Sequence, residues 1–197
     1  IRDRFNAYNA LVAIMICYLI DVPTKDIQNT LPQVHVLGRG QVMHVSPDYS
    51  VLIDYAHNGV SFESIISTVE QYNPNKLIVV YGSGGKRSKT RRYESGEVVA
   101  KHGGYSILTA DNPRGEKIVD ICKDIVVGID KYHGEYTIIP DRKEAIYHAL
   151  DMAHKGDVVL LLGKGHETYM IGEDEVTRHF SETEVLEEYK KERGLSA

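Results

Sequence analysis

Four short apolar runs limit what this chain can become. Residues 51–55, 77–81, 105–109 and 157–162 are each strand-length, and each stops at a polar or glycine-rich turn. Continuous apolar runs of this length fit strands buried on both faces, as in parallel sheets. Stretches with helical spacing lie between them. Phe62, Ile65, Ile66 and Val69 mark one, and a weaker one runs roughly over 93–101. Ile118, Ile121, Cys122, Ile125, Val126 and Ile129 give the clearest helical face. Asp141 and Glu144 fit the capping box of another helix, whose core face is Ile146, Ala149, Leu150 and Ala153. Residues 136–139 form a further strand, 168–171 and 176–180 read as a hairpin, and Ser181 caps a last, charged helix. The alternation predicts an α/β domain with a mostly parallel sheet and helices on both faces.

The opening residues do not fit that alternation. Tyr8, Leu11, Val12, Met15, Ile16 and Leu19 recur at helical spacing, which predicts one amphipathic helix ending before Pro23. A second short helix follows over 24–31 with Thr24 as its cap, and 32–36 is a linker. The apolar run 10–20 is too short to span a bilayer and follows Asn6 and Asn9, not a basic leader. The first helix has no strand of its own to pack on, and the first residue is Ile1. We therefore expect the trailing part of a longer protein, with helices over 1–32 and the α/β domain over 33–197. The chain has 197 residues and 42% hydrophobic content, enough for one good core plus a remnant of another. A net charge of −5 argues against nucleic-acid binding. Cys17 and Cys122 lack metal-ligand spacing, fall on apolar helical faces and read as core residues.

Right-handed crossovers gather the strand-end loops of such a sheet on one edge, where open α/β sheets bind ligands. That edge collects 54–57, 82–92, 111–114 and 163–167. The Asp111-Asn112-Pro113-Arg114 loop carries a carboxylate, an amide and a guanidinium within four residues. Pro113 stiffens it, and Arg114 can grip a carboxylate with two parallel N–H bonds. The loop is suited to a small zwitterion. The Gly82-Ser83-Gly84-Gly85-Lys86-Arg87 loop looks like a phosphate cradle, but Arg87 breaks both the dinucleotide and the Walker A patterns. Lys86, Arg87, Lys89, Arg91 and Arg92 form a positive run suited to a solvated face or an anionic ligand. In Gly163-Lys164-Gly165-His166-Glu167, the glycines let backbone approach a ligand and Glu167 can bind an ammonium group. Asp54 and His57 end the first strand, where an aspartate can meet ribose hydroxyls or hold Mg²⁺ indirectly. No serine elbow and no His-Glu-x-x-His points to a hydrolase.

Taken together, Phe5-Asn6-x-x-Asn9-Ala10, Gly38-Arg39, Asp54-Tyr55-Ala56-His57, Gly82-x-Gly84-Gly85-x-Arg87, Asp111-Asn112-Pro113-Arg114 and Gly163-Lys164-Gly165-His166-Glu167 resemble the MurE ligase family in order and spacing over nearly the whole chain. The resemblance implies a Rossmann-like C-terminal domain preceded by the last helices of a central ATP-binding domain. The P-loop, the central Mg²⁺ ligands and the modified lysine of that family would lie upstream, so this chain alone is expected to be inactive as a ligase. The implied chemistry is activation of the terminal carboxylate of UDP-N-acetylmuramoyl-dipeptide by ATP, followed by attack of an amino acid's amine. Positioning and charge stabilisation carry such a reaction.

By motif, Arg114 and Asn112 would bind the far end of the amino acid, with Asp111 in the same loop. Arg87, Gly163 and Glu167 would complete that pocket. Asn9 would meet the adenine, Arg39 and Asp54 the nucleotide, and His57 would lie close by. The resemblance assigns no catalytic residue and no direct metal ligand to this chain, and Mg²⁺ goes mainly to the upstream domain. The Asp-Asn-Pro-Arg loop is the version used for meso-diaminopimelate, whose second carboxylate suits Arg114. The family implies a cytoplasmic monomer without nucleic-acid or membrane partners. Asn58-Gly59 resembles lysine-adding members, and Gly115-Glu116-Lys117 and Ser88-Lys89-Thr90 also depart from the usual pattern. The other readings are a lysine-adding member, a folylpolyglutamate or cyanophycin synthetase type, which shares His57-Asn58, and a non-catalytic Rossmann binding module.

Overall fold

The structure, a computed structural model, describes residues 4–34 and 38–195, with side chains from residue 8 onward. It divides into two compact units, Ile1–Val36 and Leu37–Ala197. The first holds α1 (Arg4–Leu19), α2 (Thr24–Thr30) and a 3₁₀ turn at Leu31–Gln33. Two expectations change here. Pro23, not Thr24, is the N-cap of α2, and no side chain bonds the helix start. Cys17 is only partly buried, and Leu11, Val12, Met15, Ile16 and Leu19 are all more than half exposed. Two short helices have too little surface to enclose an apolar face. Phe5 and Asn6 of the first motif lie outside the residues whose side chains are described, as do residues 35–36 of the expected linker.

The second unit begins with a strand too short to show in the sequence. β1 (Gln41–Met43) pairs antiparallel with β2 (Ser50–Asp54) at one sheet edge. Then α3 (Gly59–Glu70), β3 (Leu77–Tyr81), α4 (Lys89–Lys101), β4 (Tyr105–Leu108), α5 (Ile118–Asp130), β5 (Tyr136–Ile138), α6 (Arg142–Met152) and β6 (Val158–Leu162) alternate as expected. β7 (Tyr169–Ile171) and β8 (Thr177–His179) form a separate antiparallel hairpin, and α7 (Glu182–Glu192) closes the unit. The main sheet runs β1-β2-β6-β3-β4-β5, and all its pairings except β1–β2 are parallel.

Local chemistry explains the boundaries. Asn58 accepts from Ser61 N at 3.0 Å while Ser61 Oγ accepts from Asn58 N at 3.2 Å, a reciprocal box that starts α3. Asp141 and Ser181 cap α6 and α7 by accepting from Glu144 N and Glu184 N. α4 starts a turn earlier than its apolar pattern indicates, because Arg92 turns inward and is 1% exposed.

The sheet is covered on both faces. Phe62, Ile66, Val99, Ile121, Cys122 and Ile125 pack with Val79, Leu108 and Leu160 on one side. Ile146, Ala149, Leu150, Val185, Leu186 and Tyr189 pack with Val51, Ile53, Val80 and Leu161 on the other. β3 and β6 are buried along their whole length, which is why they read as unbroken apolar runs. β6 slots between β2 and β3, so the loops following β2, β3, β4 and β6 emerge together at the carboxyl edge.

Candidate functional site

Those four loops enclose a cleft of about 180 Å³. Its wall includes Arg87, Asp111, Asn112, Arg114, Gly163 and Glu167, the whole expected amino-acid set, together with Tyr55, His57 and Arg91. The sheet topology brings them together from positions up to 112 residues apart.

The loop after β4 is the most ordered wall. Asn112 uses its full amide capacity inside the protein. Its Oδ1 accepts from Ile171 N at 2.9 Å and Lys164 Nζ at 3.3 Å. Its Nδ2 donates to Glu167 Oε2 at 3.0 Å and Asp111 Oδ1 at 3.2 Å. Asn112 was expected to bind the amino acid directly. Its side chain instead ties the β4 loop, the β6 loop and the hairpin to one another. Arg114 N donates to Ile171 O and Gly115 N to Gly172 O, so the hairpin props the loop from outside.

Arg114 holds φ at +47°, a left-handed conformation that a non-glycine residue adopts only when its surroundings fix it. Its side chain is half-buried and reaches toward Gly84, where an added Cβ would sit 2.7 Å from Nη1. No ion pair to Arg114, Arg87 or Arg91 forms among the described residues. The guanidinium of Arg114 therefore lines the cleft without a close ion pair, its charge acting at longer range on Glu167.

The glycine-rich loop after β3 serves a purpose other than cradling phosphate. Gly85 N donates to Asn112 O at 2.8 Å, and a Cβ on Gly85 would sit 1.7 Å from Pro113 O. Its glycines let one loop's backbone lie flat on the next. The positive run that follows is also largely neutralised. Arg92 pairs with Asp124 and Glu116 at 2.9 Å, Lys89 pairs with Asp124 at 3.1 Å, and Lys86 pairs with Glu175. Only Arg87 and Arg91 of that run line the cleft.

Glu167 comes from the loop after β6. Burial alone would raise its carboxyl pKa. Hydrogen bonds from Lys164 and Asn112, with the charges of Lys164 and Arg114, outweigh burial and hold it below the usual carboxylate range. The Tyr55 phenol is pushed up by burial and then by the nearby charges of Glu167 and Asp111.

The residues expected at a nucleotide are less uniform. Arg39 is exposed, with its guanidinium 5.6 Å from the Tyr55 ring centre, and His57 is exposed at the same edge. Asp54 accepts from Gly40 N and Ala56 N, both at 2.7 Å, so its carboxylate helps to fold the turn around it. Asn9 is exposed on α1, in the other unit. No group of three or more His, Cys, Asp or Glu residues that could hold a metal exists among the described residues.

Two buried groups escaped the sequence reading. Lys164 is 0% exposed and donates to Glu167 Oε2, Asn112 Oδ1 and Tyr169 O. A lysine between two glycines directly after a fully buried strand was the available signal. Arg142 is buried against Glu182 and donates to Ala110 O and Leu162 O, both at 2.8 Å. It thus binds the chain just ahead of two site loops, and nothing in the local pattern marks it.

Fold and cleft together define a Rossmann-like carboxyl-edge binding domain: a mostly parallel sheet whose strand-end loops surround a small polar cleft. Residues 38–165 match the model of the Mur ligase glutamate ligase domain, and the chain belongs to the Mur ligase family. It is 40% identical over 188 residues to the UDP-N-acetylmuramoyl-L-alanyl-D-glutamate–2,6-diaminopimelate ligase of Caldanaerobacter subterraneus subsp. tengcongensis, covering 95% of this chain and 39% of that one. The enzyme of the same name from Clostridium perfringens is also 40% identical, covering 94% and 38%. The chain thus spans about two fifths of the length of these relatives, which bears out the resemblance read from the motifs. A solved structure of a ligase of that name superposes with a TM-score of 0.75 at 27% identity, covering 98% of this chain and 40% of that one. A Mycobacterium tuberculosis folylpolyglutamate synthase complexed with ADP and AMPPCP superposes at 0.64 with 16% identity, covering 83% and 38%, a likeness of fold alone.

Proposed function

We propose that this chain is the amino-acid-binding portion of an ATP-dependent ligase that adds meso-diaminopimelate to UDP-N-acetylmuramoyl-L-alanyl-D-glutamate in peptidoglycan synthesis. The observation that carries this reading is the Arg114 guanidinium, in no close ion pair among the described residues, lining the same cleft as the Glu167 carboxylate. A cation and an anion side by side complement the far end of diaminopimelate, which bears one carboxylate and one ammonium. Lysine offers only the ammonium and would leave Arg114 without a partner. The names of the relatives support the same substrate.

In this reading Arg114, with Arg87 across the cleft, holds the distal carboxylate, and Glu167 and Asp111 hold the distal ammonium. The near amine is thereby directed out of the cleft toward the activated carboxylate. ATP supplies that activation, and it and Mg²⁺ are held mainly by the family's central domain, with Arg39 and His57 at the edge that faces the nucleotide. The 1–36 helices are then the end of that central domain. Asn58-Gly59, the feature shared with lysine-adding members, is accounted for by the start of α3, which Asn58 caps. No helix among the described residues is long and apolar enough to cross a membrane, which suits work on a nucleotide-linked precursor in the cytoplasm.

The test is phosphate release by the full-length protein with diaminopimelate, lysine and glutamate side by side. A bidentate charge-assisted contact should favour diaminopimelate over lysine in kcat/KM on the order of a hundredfold. Equal use of lysine would sink the specificity, and a preference for glutamate would favour a folylpolyglutamate-type enzyme.

A further inference from the structure

The Glu167 carboxylate has two unequal oxygens. Oε2 accepts from Lys164 Nζ at 2.7 Å and from Asn112 Nδ2 at 3.0 Å. Among the described residues, Oε1 takes only the Tyr55 hydroxyl, at the long distance of 3.5 Å. One oxygen is thus held by the protein, and the other, in a side chain that lines the cleft, has acceptor capacity to spare.

Lys164 makes this asymmetry possible. Its ammonium is fully buried, and Glu167, Asn112 Oδ1 and Tyr169 O take its three donors. It also lies 5.1 Å from the centre of the Tyr169 ring. A buried cation with every donor used has no capacity left for a ligand. It can act on one only through the groups it holds.

We propose that Lys164 is a positioning residue for substrate selection. It clamps one oxygen of Glu167, keeps that carboxylate ionised in a half-buried setting, and so presents the other oxygen to the substrate's distal ammonium. This rests on the functional reading above and adds to it the reason that an acceptor for an ammonium exists at this point. Without Lys164, Asn112 alone would hold Oε2, and burial would favour the neutral carboxylic acid, which binds an ammonium poorly. The charged or titratable groups around Glu167 are Lys164 and His166 on its own loop, Tyr169 at the start of β7, Arg87 and Arg91 after β3, Asp111 and Arg114 after β4, and Tyr55 and His57 after β2. Of these, Lys164 makes the only ion pair to Glu167 among the described residues.

The experiment is steady-state kinetics of the full-length wild-type, K164M and K164R proteins with diaminopimelate across pH 6–9, with melting curves as a check on folding. In K164M the KM for diaminopimelate should rise about tenfold or more, because a charge-assisted contact is lost. The KM for ATP should hold, and kcat at saturating amino acid should stay within about threefold. The amino-acid KM of K164M should also fall as pH rises, since Glu167 must then ionise without its partner, whereas wild type should be flat from that group. K164R should recover part of the loss. A folded K164M with an unchanged amino-acid KM, or with both KM values raised alike, overturns the proposal. If K164M does not fold, K164Q is read by the same criteria. Failure of both to fold overturns it as well, leaving Lys164 a purely structural residue. Wild type that does not turn over diaminopimelate overturns the functional reading itself, a result distinct from an insensitive K164M.

Discussion

The loops after β4 and β3 each bring an arginine to the same cleft, and they do it in opposite ways. The β4 loop is built from within. Asn112 makes four side-chain hydrogen bonds, the hairpin pairs with the backbone at Arg114 and Gly115, and Arg114 sits in a left-handed conformation. The β3 loop has little side-chain structure of its own. Its glycines lie against the β4 loop, and Arg87 stands exposed beyond them. One guanidinium is fixed in advance and the other can adapt. A fixed group loses less freedom on binding and so discriminates more sharply. Under the proposed function, Arg114 would then be the selector and Arg87 an auxiliary.

That contrast can be broken by experiment, beginning with the largest effect. Arg114→Ala in the full-length protein should raise the KM for diaminopimelate on the order of a hundredfold with little change for ATP, and Arg114→Lys should recover little, since an ammonium cannot make the planar fork. An unchanged amino-acid KM would remove Arg114 from its role. Next, Gly85→Ala forces a methyl group into Pro113 O and should destabilise the protein by about 1–3 kcal/mol, read as a lower melting temperature. A neutral result would mean the two loops are not packed as described. Arg87→Ala should be milder, raising the amino-acid KM roughly tenfold, in keeping with an exposed cation. An effect equal to that of Arg114→Ala would erase the distinction between fixed and adaptable.

The smallest effect concerns acid. Hydrogen bonding to Lys86 N, opposed by burial and aided by Arg92, holds the Glu116 carboxyl below its usual range. Burial would raise Asp124, but Arg92 and Lys89 outweigh it and hold that carboxyl low as well. Groups with depressed folded pKa values contribute stability above their unfolded values and lose it as pH falls through the folded ones. Melting temperature should therefore begin to drop below roughly pH 4.5. In Arg92→Met that acid-dependent part of the drop should shrink. An identical slope in both proteins would show that the pairs contribute nothing.

Much of this was legible in advance because parallel strands and their end loops have strong local signatures. Residues 77–81 and 158–162 are apolar throughout since both faces are covered, and the loops that follow had to share an edge. What stayed hidden depends on side-chain direction. Lys89 and Arg92 look alike in a basic run, yet one is exposed and the other is enclosed by Glu116 and Asp124. Asn112 was expected to face a ligand, and only its geometry revealed that its side-chain hydrogen bonds are made inside the protein. β1 spans three residues, too few for a period of two to register. Cys17 was read as a core residue from the helical spacing around it, yet it is only partly buried, since periodicity states what a helix could bury and not what it does bury.

The guanidinium of Arg142 takes one carbonyl ahead of the Asp111 loop and another ahead of the Gly163 loop, and Glu182 holds it in place. One buried side chain thus ties together the backbone beneath two walls of the pocket. If the proposed function holds, the reach between Arg114 and Glu167, and with it the length of amino acid that fits, would be set in part from beneath the pocket and not only by the side chains that line it.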